Sequence, residues 1–312
     1  MPTPPTADGL LLVDKPAGVS SHDVVGAARR ALGQRRIGHA GTLDPFATGL
    51  LVLLVGRATR LLPHLPGEPK VYDALIRFGA ETDTEDLEGA VTREAPLPTR
   101  DALLAALPSL TGAIEQVPPA YSAKRIDGTR AYKKARAGEE VTLAPVRIHV
   151  HRWEVLDLTA GAERGGVSEA RVRVTVGGGT YVRSLARDLA RAVGSAAHLV
   201  ALRRTRAGAF DVSAALTLDD LREGRARLRP ALDALEGFPR EPLDADAVSR
   251  VARGIDVAAT VEGAWGALTH ADHGVLVALA ERDGNRWRPR VVMHEVVPEV
   301  VPESAQEGPD VV

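Results

Sequence analysis

The sequence predicts an α+β protein with two domains, on the basis of three observations. Segments with strand and helix patterns are mixed along the 312 residues without regular β-α-β alternation. Segment 237–242 contains one glycine and two prolines, which indicates a linker. The chain beyond it is rich in strand patterns and ends in an acidic, proline-containing stretch. We therefore place a large domain at 1–237, a small β-rich domain at 243–298 and a disordered acidic tail at 299–312.

The composition excludes several classes of protein. Apolar residues make up 45% of the chain and charged residues 26%, which is enough apolar surface for a core and excludes a wholly disordered chain. Cysteine is absent, so disulfides, thiolate metal sites and cysteine nucleophiles are excluded. No histidine pair has a third ligand at a recognised spacing, so no metal site is expected. We find no signal peptide and no apolar run of roughly 18 residues, and we predict a cytoplasmic protein without membrane contact.

The first part of the chain is predicted to alternate short strands and capped helices. Strands are expected at 10–14, at 71–78 and at the uniformly apolar segment 50–55, for which a short helix is the alternative. Ser20 or Ser21 caps a helix that runs to about Leu32, and Thr99 caps another. A long basic excursion, interrupted by prolines, occupies 117–145; excursions of this length in a compact domain are usually functional or disordered.

The later part of the chain repeats both patterns. Alternating apolar residues predict strands near 146–150 and 172–176, and three glycines then lead into a helix from about Tyr181 to Val193. The remaining expectations are a loop or strand at 198–212, a largely helical segment at 217–235, and strands at 275–280 and 290–293 around an Asp283-Gly284 turn.

Segment 38–49 contains three glycines, a proline and the central Asp44, directly before the apolar strand. Glycines allow the backbone to approach a ligand closely, and Pro45 biases Asp44 away from the helical region. A carboxylate on such a loop is well placed for chemistry. The alternative is an ordinary turn in which Asp44 bonds only to its own backbone.

Two charged segments have both structural and functional explanations. Arg183 and Arg187 are one turn apart on a predicted helix, so they share a face and either could pair with a carboxylate or a phosphate; ordinary surface arginines are the alternative. Segment 79–89 holds five carboxylates, but the spacing is not that of an EF-hand, and a polar loop with local side-chain caps is expected. The glycines at 177–179 lack the dinucleotide-binding fingerprint, so a dinucleotide-binding enzyme is a distant alternative.

The strongest local charge lies in the excursion. Residues 121–138, which we call the basic stripe, hold six lysines and arginines against Asp127 alone. Such a stripe is suited to bind phosphates, or it forms the solvated face of a helix.

Taken together, these segments resemble the TruB-type tRNA pseudouridine synthase family. Seven motifs carry the resemblance and follow the family's order: 11–21 (LLVDKPAGVSS), 38–49 (GHAGTLDPFATG), 70–72 (KVY), 82–86 (TDTED), 118–124 (PPAYSAK), 179–183 (GTYVR) and 202–208 (LRRTRAG). The resemblance covers roughly residues 10–210. It implies a catalytic domain with a mixed, largely antiparallel sheet, flanking helices and a thumb-like insertion at about 117–145, followed by a small PUA-like RNA-binding domain.

The resemblance implies a reaction and a set of residues. The enzyme would isomerise uridine 55 in the T-loop of tRNA to pseudouridine, by base flipping and aspartate catalysis, with no cofactor or metal. Asp44 matches the catalytic aspartate, Arg183 the arginine paired with it, Tyr72 the aromatic against the target base, and His39 a histidine that holds the flipped-out loop. The other residues assigned to substrate binding are Tyr181, Lys15, Lys124, Arg125, Lys133 and Lys134.

Two further functions stay open from the sequence. An RNA-guided, dyskerin-type synthase shares the catalytic motif, whereas the intact N-terminal lead-in and the long excursion favour a stand-alone enzyme. A non-catalytic tRNA-binding or tRNA-folding factor would not need Asp44, Tyr72 and Arg183 together. We expect the T stem-loop of tRNA as partner, no obligatory protein partner, and a monomer.

Overall fold

The chain divides into two units, residues 1–229 and residues 230–312. The predicted acidic tail at 299–312 lies outside the described residues. The computed structural model describes residues 8–65, 67–122, 124–126, 129–139, 141–162 and 165–293.

The first unit is built from short strands and a few helices. In chain order, its strands are β1 (Gly9–Lys15), β2 (Ile37–Ala40), β3 (Thr48–Val55), β4 (Lys70–Phe78), β5 (Ala80–Thr82), β6 (Val91–Glu94), β7 (Gly112–Gln116), β8 (Arg125–Ile126), β9 (Thr129–Arg130), β10 (Val146–Ala160), β11 (Val167–Val176), β12 (Ala197–Ala207), β13 (Phe210–Asp211) and β14 (Leu216–Thr217). Its α-helices are α1 (Ser21–Ala31), α2 (Arg100–Ala106), α3 (Ala131–Arg136), α4 (Val182–Ala192) and α5 (Leu218–Arg222). Short 3-10 helices occupy Gly56–His64, Leu107–Leu110 and Val212–Ala214.

One large sheet dominates this unit. Its ten strands follow the order β14-β1-β3-β12-β4-β11-β10-β7, with β2 paired to β3 and β13 paired to β12. Pairing is antiparallel except between β1 and β14 and between β3 and β12. The prediction of an α+β fold with a mixed, largely antiparallel sheet is confirmed.

Local sequence explains most of these elements. The Ser20 side chain caps α1 by accepting from the Asp23 amide, and Asp23 bonds back to the Ser20 amide. In β11, Val172, Val174 and Val176 are buried, as the alternation predicts. Strand β3 is buried from Gly49 to Val55, which explains its uniformly apolar sequence.

Helices α1 and α4 belong to different apolar clusters. Helix α1 packs Val24, Val25 and Ala28 with residues of β1 and β3. Helix α4 packs Leu185 and Leu189 with residues of β4, β11 and β12. Each helix therefore buries one face, and the strands that it covers fix its position.

The predicted insertion lies between two neighbouring strands, β7 and β10. These strands pair antiparallel, with Gln116 opposite Val146, so residues 117–145 leave the sheet and return to the same place. The described part of the insertion contains the β8–β9 hairpin and α3. The predicted excursion therefore contains short elements of secondary structure of its own.

The second unit is a small β-rich domain, as predicted. Its strands are β15 (Arg240–Leu243), β16 (Val257–Ala258), β17 (Trp265–His270), β18 (Leu276–Asp283) and β19 (Arg286–Val292), in the order β15-β17-β18-β19-β16, and its α-helix is α6 (Ala245–Ala252). Strands β18 and β19 form the hairpin predicted at Asp283-Gly284. Trp287 is completely buried in the core, and its indole N–H donates to Glu241 Oε2 at 2.9 Å.

Two predictions for residues near the boundary of the two units were wrong. Segment 217–235 is not largely helical: α5 ends at Arg222, and only a short 3-10 helix follows at Ala231–Leu235. Gly224 adopts a φ of 72°, which ends the helix. Segment 237–242 is not merely a linker, because β15 begins at Arg240 and pairs parallel with β17. As an edge strand, β15 tolerates Pro242.

Within the described residues, no helix combines the length and the apolar character needed to cross a bilayer.

Gly49 generates a prediction about stability. It adopts a φ of 102° where β3 meets β12, and a Cβ atom there would overlap the backbone of Arg204. We expect Gly49→Ala to lower the free energy of unfolding by about 3 kcal/mol or more, because strained backbone and overlap combine. Gly33→Ala is the control, since Gly33 also has positive φ but open space around it, and should cost about 1 kcal/mol. Equal losses in chemical denaturation would contradict the close approach at Gly49.

Candidate active site

The loop that carries Asp44, residues 41–47, is held at several backbone atoms. The Ser21 hydroxyl accepts from the Leu43 amide at 2.9 Å and donates to the Leu43 carbonyl at 3.0 Å. Lys15 Nζ and the Gly18 amide both donate to the Pro45 carbonyl, at 3.2 and 2.9 Å. Both neighbours of Asp44 are thus anchored, which fixes the backbone from which its side chain projects.

Arg204 binds backbone carbonyls on both sides of Asp44, one in the loop and one in β3. This buried side chain donates from Nη2 to the Gly41 carbonyl at 3.0 Å and from Nε to the Leu50 carbonyl at 2.7 Å. The close approach of Gly49 to the Arg204 backbone allows the guanidinium to reach both carbonyls. Strand β12 therefore supports the loop through the Arg204 side chain.

Arg183, in the first turn of α4, meets the Asp44 carboxylate. Its Nε lies 3.0 Å from Asp44 Oδ2, and its Nη2 donates to Oδ1 at 3.3 Å. The Arg183 side chain is only 5% exposed, whereas that of Asp44 is 35% exposed. The pair thus has a buried cation and an anion that solvent, or a substrate, can reach.

Other groups complete the surroundings of the Arg183 guanidinium. Nη1 donates to the Thr84 carbonyl at 2.6 Å, and Nη2 donates to the Tyr121 carbonyl at 3.0 Å. Asp86 Oδ2 lies 3.5 Å from Nη1. The start of α4 is fixed by Gln116, whose amide accepts from the Tyr181 N–H and donates to the Tyr181 carbonyl.

The charges in the site act against one another. Burial raises the pKa of Asp44, the Arg183 guanidinium lowers it, and the nearby Asp86 carboxylate raises it. Burial lowers the pKa of Lys15 to about 8, with the Asp44 carboxylate as the largest opposing influence. This arrangement gives a carboxylate with raised proton affinity beside a permanent cation, which suits nucleophilic or base chemistry.

Two family models match consecutive parts of the chain. The one described as TruB family pseudouridylate synthase (N terminal domain) matches residues 29–182, and the one described as tRNA pseudouridylate synthase B C-terminal domain matches residues 183–237. A relative from Thermobifida fusca named tRNA pseudouridine synthase B is 44% identical over 92% of this chain and 98% of its own length. The chain belongs to the TruB family of pseudouridine synthases. It is therefore an isomerase of the class that converts uridine to pseudouridine.

Further comparisons agree with this family. A relative from Mycobacterium ulcerans with the same name is 45% identical over 91% of this chain and 94% of its own length. A chain in the structure of an H/ACA RNP bound to a substrate RNA containing 2′-deoxyuridine has a TM-score of 0.67 and 25% identity, over 91% of this chain and 84% of that chain. A chain in a Cbf5-Nop10-Gar1 complex has the same TM-score and 26% identity, over 92% and 85%.

The remaining residues assigned from the TruB family lie at different depths. Tyr72 is buried in the cluster that contains Leu43 and Phe46, two apolar residues of the Asp44 loop. Tyr181 is half-buried, and burial raises its pKa, to which the Asp44 charge adds. His39 is half-buried; burial, followed by Arg204, lowers its pKa, and its Nδ1 has no hydrogen-bond partner among the described residues.

Lys15 and the lysines of the basic stripe differ in their burial. Lys15 is completely buried and donates to the carbonyls of Pro16, Val19 and Pro45, so it supports the loop from inside. In the stripe, Lys124 and Lys134 are half-buried. The side chains of Arg125 and Lys133 lie outside the part of the chain that is described.

The sequence interpretation missed how residues 81–88, which we call the acidic segment, are used. Its local caps are present, since Asp86 accepts from Thr84 and from the Glu88 amide. However, Glu81, Glu85 and Asp86 are buried and pair with arginines of α4. The available signal was the spacing of Arg183, Arg187 and Arg191, which places three arginines on one helix face.

Proposed function

We propose that this chain isomerises uridine 55 in the T-loop of tRNA to pseudouridine, with Asp44 as the catalytic carboxylate. The observation that carries the proposal is the ion pair between buried Arg183 and partly exposed Asp44, on a loop held by Ser21, Lys15 and Arg204. The name of its relatives, tRNA pseudouridine synthase B, supports tRNA as the substrate. Because tRNA is a cytoplasmic molecule, we propose that the enzyme acts there.

The reaction rearranges one nucleotide and needs no net oxidation. The N1–C1′ bond breaks, the uracil turns, a C5–C1′ bond forms, a proton leaves C5, and N1 ends with a proton. Asp44 can attack the ribose carbon, add to the uracil ring, or remove a ribose proton. All three routes require the ionised carboxylate. Arg183 favours that form and orients both carboxylate oxygens.

The target nucleotide must leave its stack to reach Asp44. Flipping costs a few kcal/mol, and the cost is lowest for a base outside a duplex, so an RNA loop is a suitable target. We propose that Tyr72, which is buried in one apolar cluster with Leu43 and Phe46, lies against the extruded uracil through the 7% of its surface that remains exposed. His39 and Tyr181 are proposed to hold the flipped-out loop, and the basic stripe to bind the RNA backbone.

An RNA-guided mode is the alternative, because the fold is similar to chains of H/ACA RNP structures. The decisive experiment incubates the purified chain alone with an unmodified tRNA transcript and assays for pseudouridine. Product at position 55 without guide RNA, partner protein or cofactor supports the proposal. Product only with a guide RNA would favour the alternative, and binding without product would favour a tRNA-folding factor.

Asp44→Asn tests the catalytic carboxylate. Asn keeps the size and hydrogen bonding of the side chain but removes the charge, so we expect pseudouridine formation to fall by many orders of magnitude. Binding of tRNA should persist, because phosphate contacts elsewhere provide most of the affinity. Single-turnover kinetics with excess enzyme, together with thermal melts, make the measurement. If Asp44 only caps its turn, the variant would lose about 1 kcal/mol of stability and retain its rate.

The pH dependence tests the role of Arg183. The rate should fall on acidification as Asp44 is protonated, with a midpoint above its ordinary value of 3.8, because burial raises this pKa. Arg183 lowers the same pKa, so Arg183→Ala should move the acid limb to higher pH as well as reduce the rate. Circular dichroism at each pH verifies folding. An acid limb that stays in place, or moves to lower pH, would contradict this role.

The basic stripe should contribute affinity and not chemistry. We expect replacement of Lys124, Lys133 and Lys134 by Ala to weaken tRNA binding and to reduce the slope of log K against log salt by up to about 0.7 to 0.9 per lysine. The rate at saturating tRNA should change little. Arg100→Ala, on the exposed start of α2, is the control outside the stripe. A large fall in the saturated rate with unchanged binding would refute this assignment.

A further inference from the structure

Helix α4 carries a row of three arginines, and each binds a carboxylate of the acidic segment. Arg183 lies near Asp86, Arg187 pairs with Glu85, and Arg191 pairs with Glu81. Of the three arginines, only Arg183 bonds to Asp44. The proposed function assigns no role to the Arg187–Glu85 and Arg191–Glu81 pairs.

Glu85 is one of the three buried carboxylates that pair with this row. It is 8% exposed, its carboxylate pairs with Arg187, and Oε2 accepts from the Ser184 hydroxyl at 2.7 Å. Its carbonyl accepts from the Leu199 amide at 3.1 Å, which ties the acidic segment to β12. Glu85 thus joins the acidic segment, α4 and the central sheet.

The backbone of Glu85 indicates that its side chain matters. Its φ is 62°, the one positive φ of a non-glycine among the described residues. Glycine adopts this conformation without steric cost, whereas glutamate does not. A buried, paired carboxylate in a conformation that suits glycine points to a role for the side chain that the turn alone does not require.

Two short links connect the Glu85–Arg187 pair to Arg183. Thr84, the residue before Glu85, provides the carbonyl that accepts from Arg183 Nη1 at 2.6 Å. Arg187 Nη2 donates to the Val117 carbonyl at 2.9 Å, and Arg183 Nη2 donates to the Tyr121 carbonyl at 3.0 Å. Both arginines therefore bind the acidic segment on one side and segment 117–121 on the other.

We propose that Glu85 is a positioning residue for the isomerisation: through its pair with Arg187 it fixes the Thr84 carbonyl, which orients the Arg183 guanidinium toward Asp44. This inference rests on the proposed function. Glu85 does not touch Asp44 within the described structure, so its effect must pass through Arg183.

The chain provides a matched control in Glu81. This carboxylate is also buried and pairs with two arginines, Arg191 at 2.6 Å and Arg93 at 2.8 Å. Its partner Arg191 lies two turns of α4 beyond Arg183, and among the described residues no hydrogen bond or ion pair joins Glu81 to Arg183 or to segment 117–121. A purely structural role would affect Glu81 and Glu85 variants alike.

The test compares Glu85→Gln with Glu81→Gln in single-turnover reactions at saturating tRNA, at a temperature at which both are folded. We expect Glu85→Gln to lower the rate about 10- to 100-fold with an unchanged Kd for tRNA, because small displacements of catalytic groups cost this much. Its acid limb should move to higher pH, since a displaced Arg183 no longer lowers the pKa of Asp44. Glu81→Gln should lose stability and keep both the rate and the acid limb of the wild type.

Glu85→Gly guards against a folding artefact. Glycine suits the backbone conformation at this position, so the variant should remain folded while it loses the carboxylate, and its rate should fall as for Glu85→Gln. The inference is overturned if either Glu85 variant retains the wild-type rate and acid limb, or if rate losses follow the loss of melting temperature equally at Glu81 and Glu85. Failure of the proposed function differs from both outcomes, because the wild type itself would then form no pseudouridine.

Discussion

The site depends on the burial of one guanidinium, that of Arg183. A guanidinium carries five N–H donors and a permanent charge, and each donor needs an acceptor once it is removed from water. The chain provides these acceptors from three distant segments: the carboxylate of Asp44, the carbonyl of Thr84 and the carbonyl of Tyr121. The need to satisfy one side chain therefore brings the Asp44 loop, the acidic segment and the start of the insertion together.

The Asp44 loop poses the opposite problem, because several of its backbone groups find their partners outside the loop, although the Ala47 amide donates to the Asp44 carbonyl within it at 3.1 Å. Ser21 satisfies both polar groups of Leu43, while Lys15 and Arg204 bind carbonyls on either side. These supports belong to α1, β1 and β12, elements whose positions are fixed by the apolar clusters. The lowered pKa of Lys15 reflects the cost of burying its ammonium group to make these bonds. The packing of the core therefore fixes the position of the Asp44 carboxylate through these bonds.

Sequence patterns predicted the elements that local chemistry determines. The Ser20 cap, the alternation in β11 and the Asp283-Gly284 hairpin each depend on residues a few positions apart. The helix expected at 217–235 ends early because Gly224 adopts a positive φ. The segment expected as a linker at 237–242 contains β15, whose partner β17 lies more than twenty residues further along the chain.

The same limit applies to the site. The motif resemblance brought Asp44 and Arg183 together and assigned Lys15 to substrate, but it gave no indication that Lys15 supports the loop from inside. Glu85 and Arg187 are 102 positions apart in the sequence. The residues around either one do not predict that the two side chains form a pair. The tertiary fold determines long-range polar pairs of this kind. They can be identified in the sequence only once the fold is known.

The difference in exposure between the two carboxylates near Arg183 has a chemical consequence. Asp86 is 7% exposed and Asp44 is 35% exposed. During the proposed reaction, bonding of the Asp44 carboxylate to a carbon or a proton removes its negative charge. Arg183 would then be a buried cation without a counter-charge, were Asp86 not 3.5 Å away on the inner side. Asp86 can therefore stabilise the Arg183 cation throughout the reaction cycle. The Asp44 carboxylate can then gain and lose its charge without leaving Arg183 unpaired.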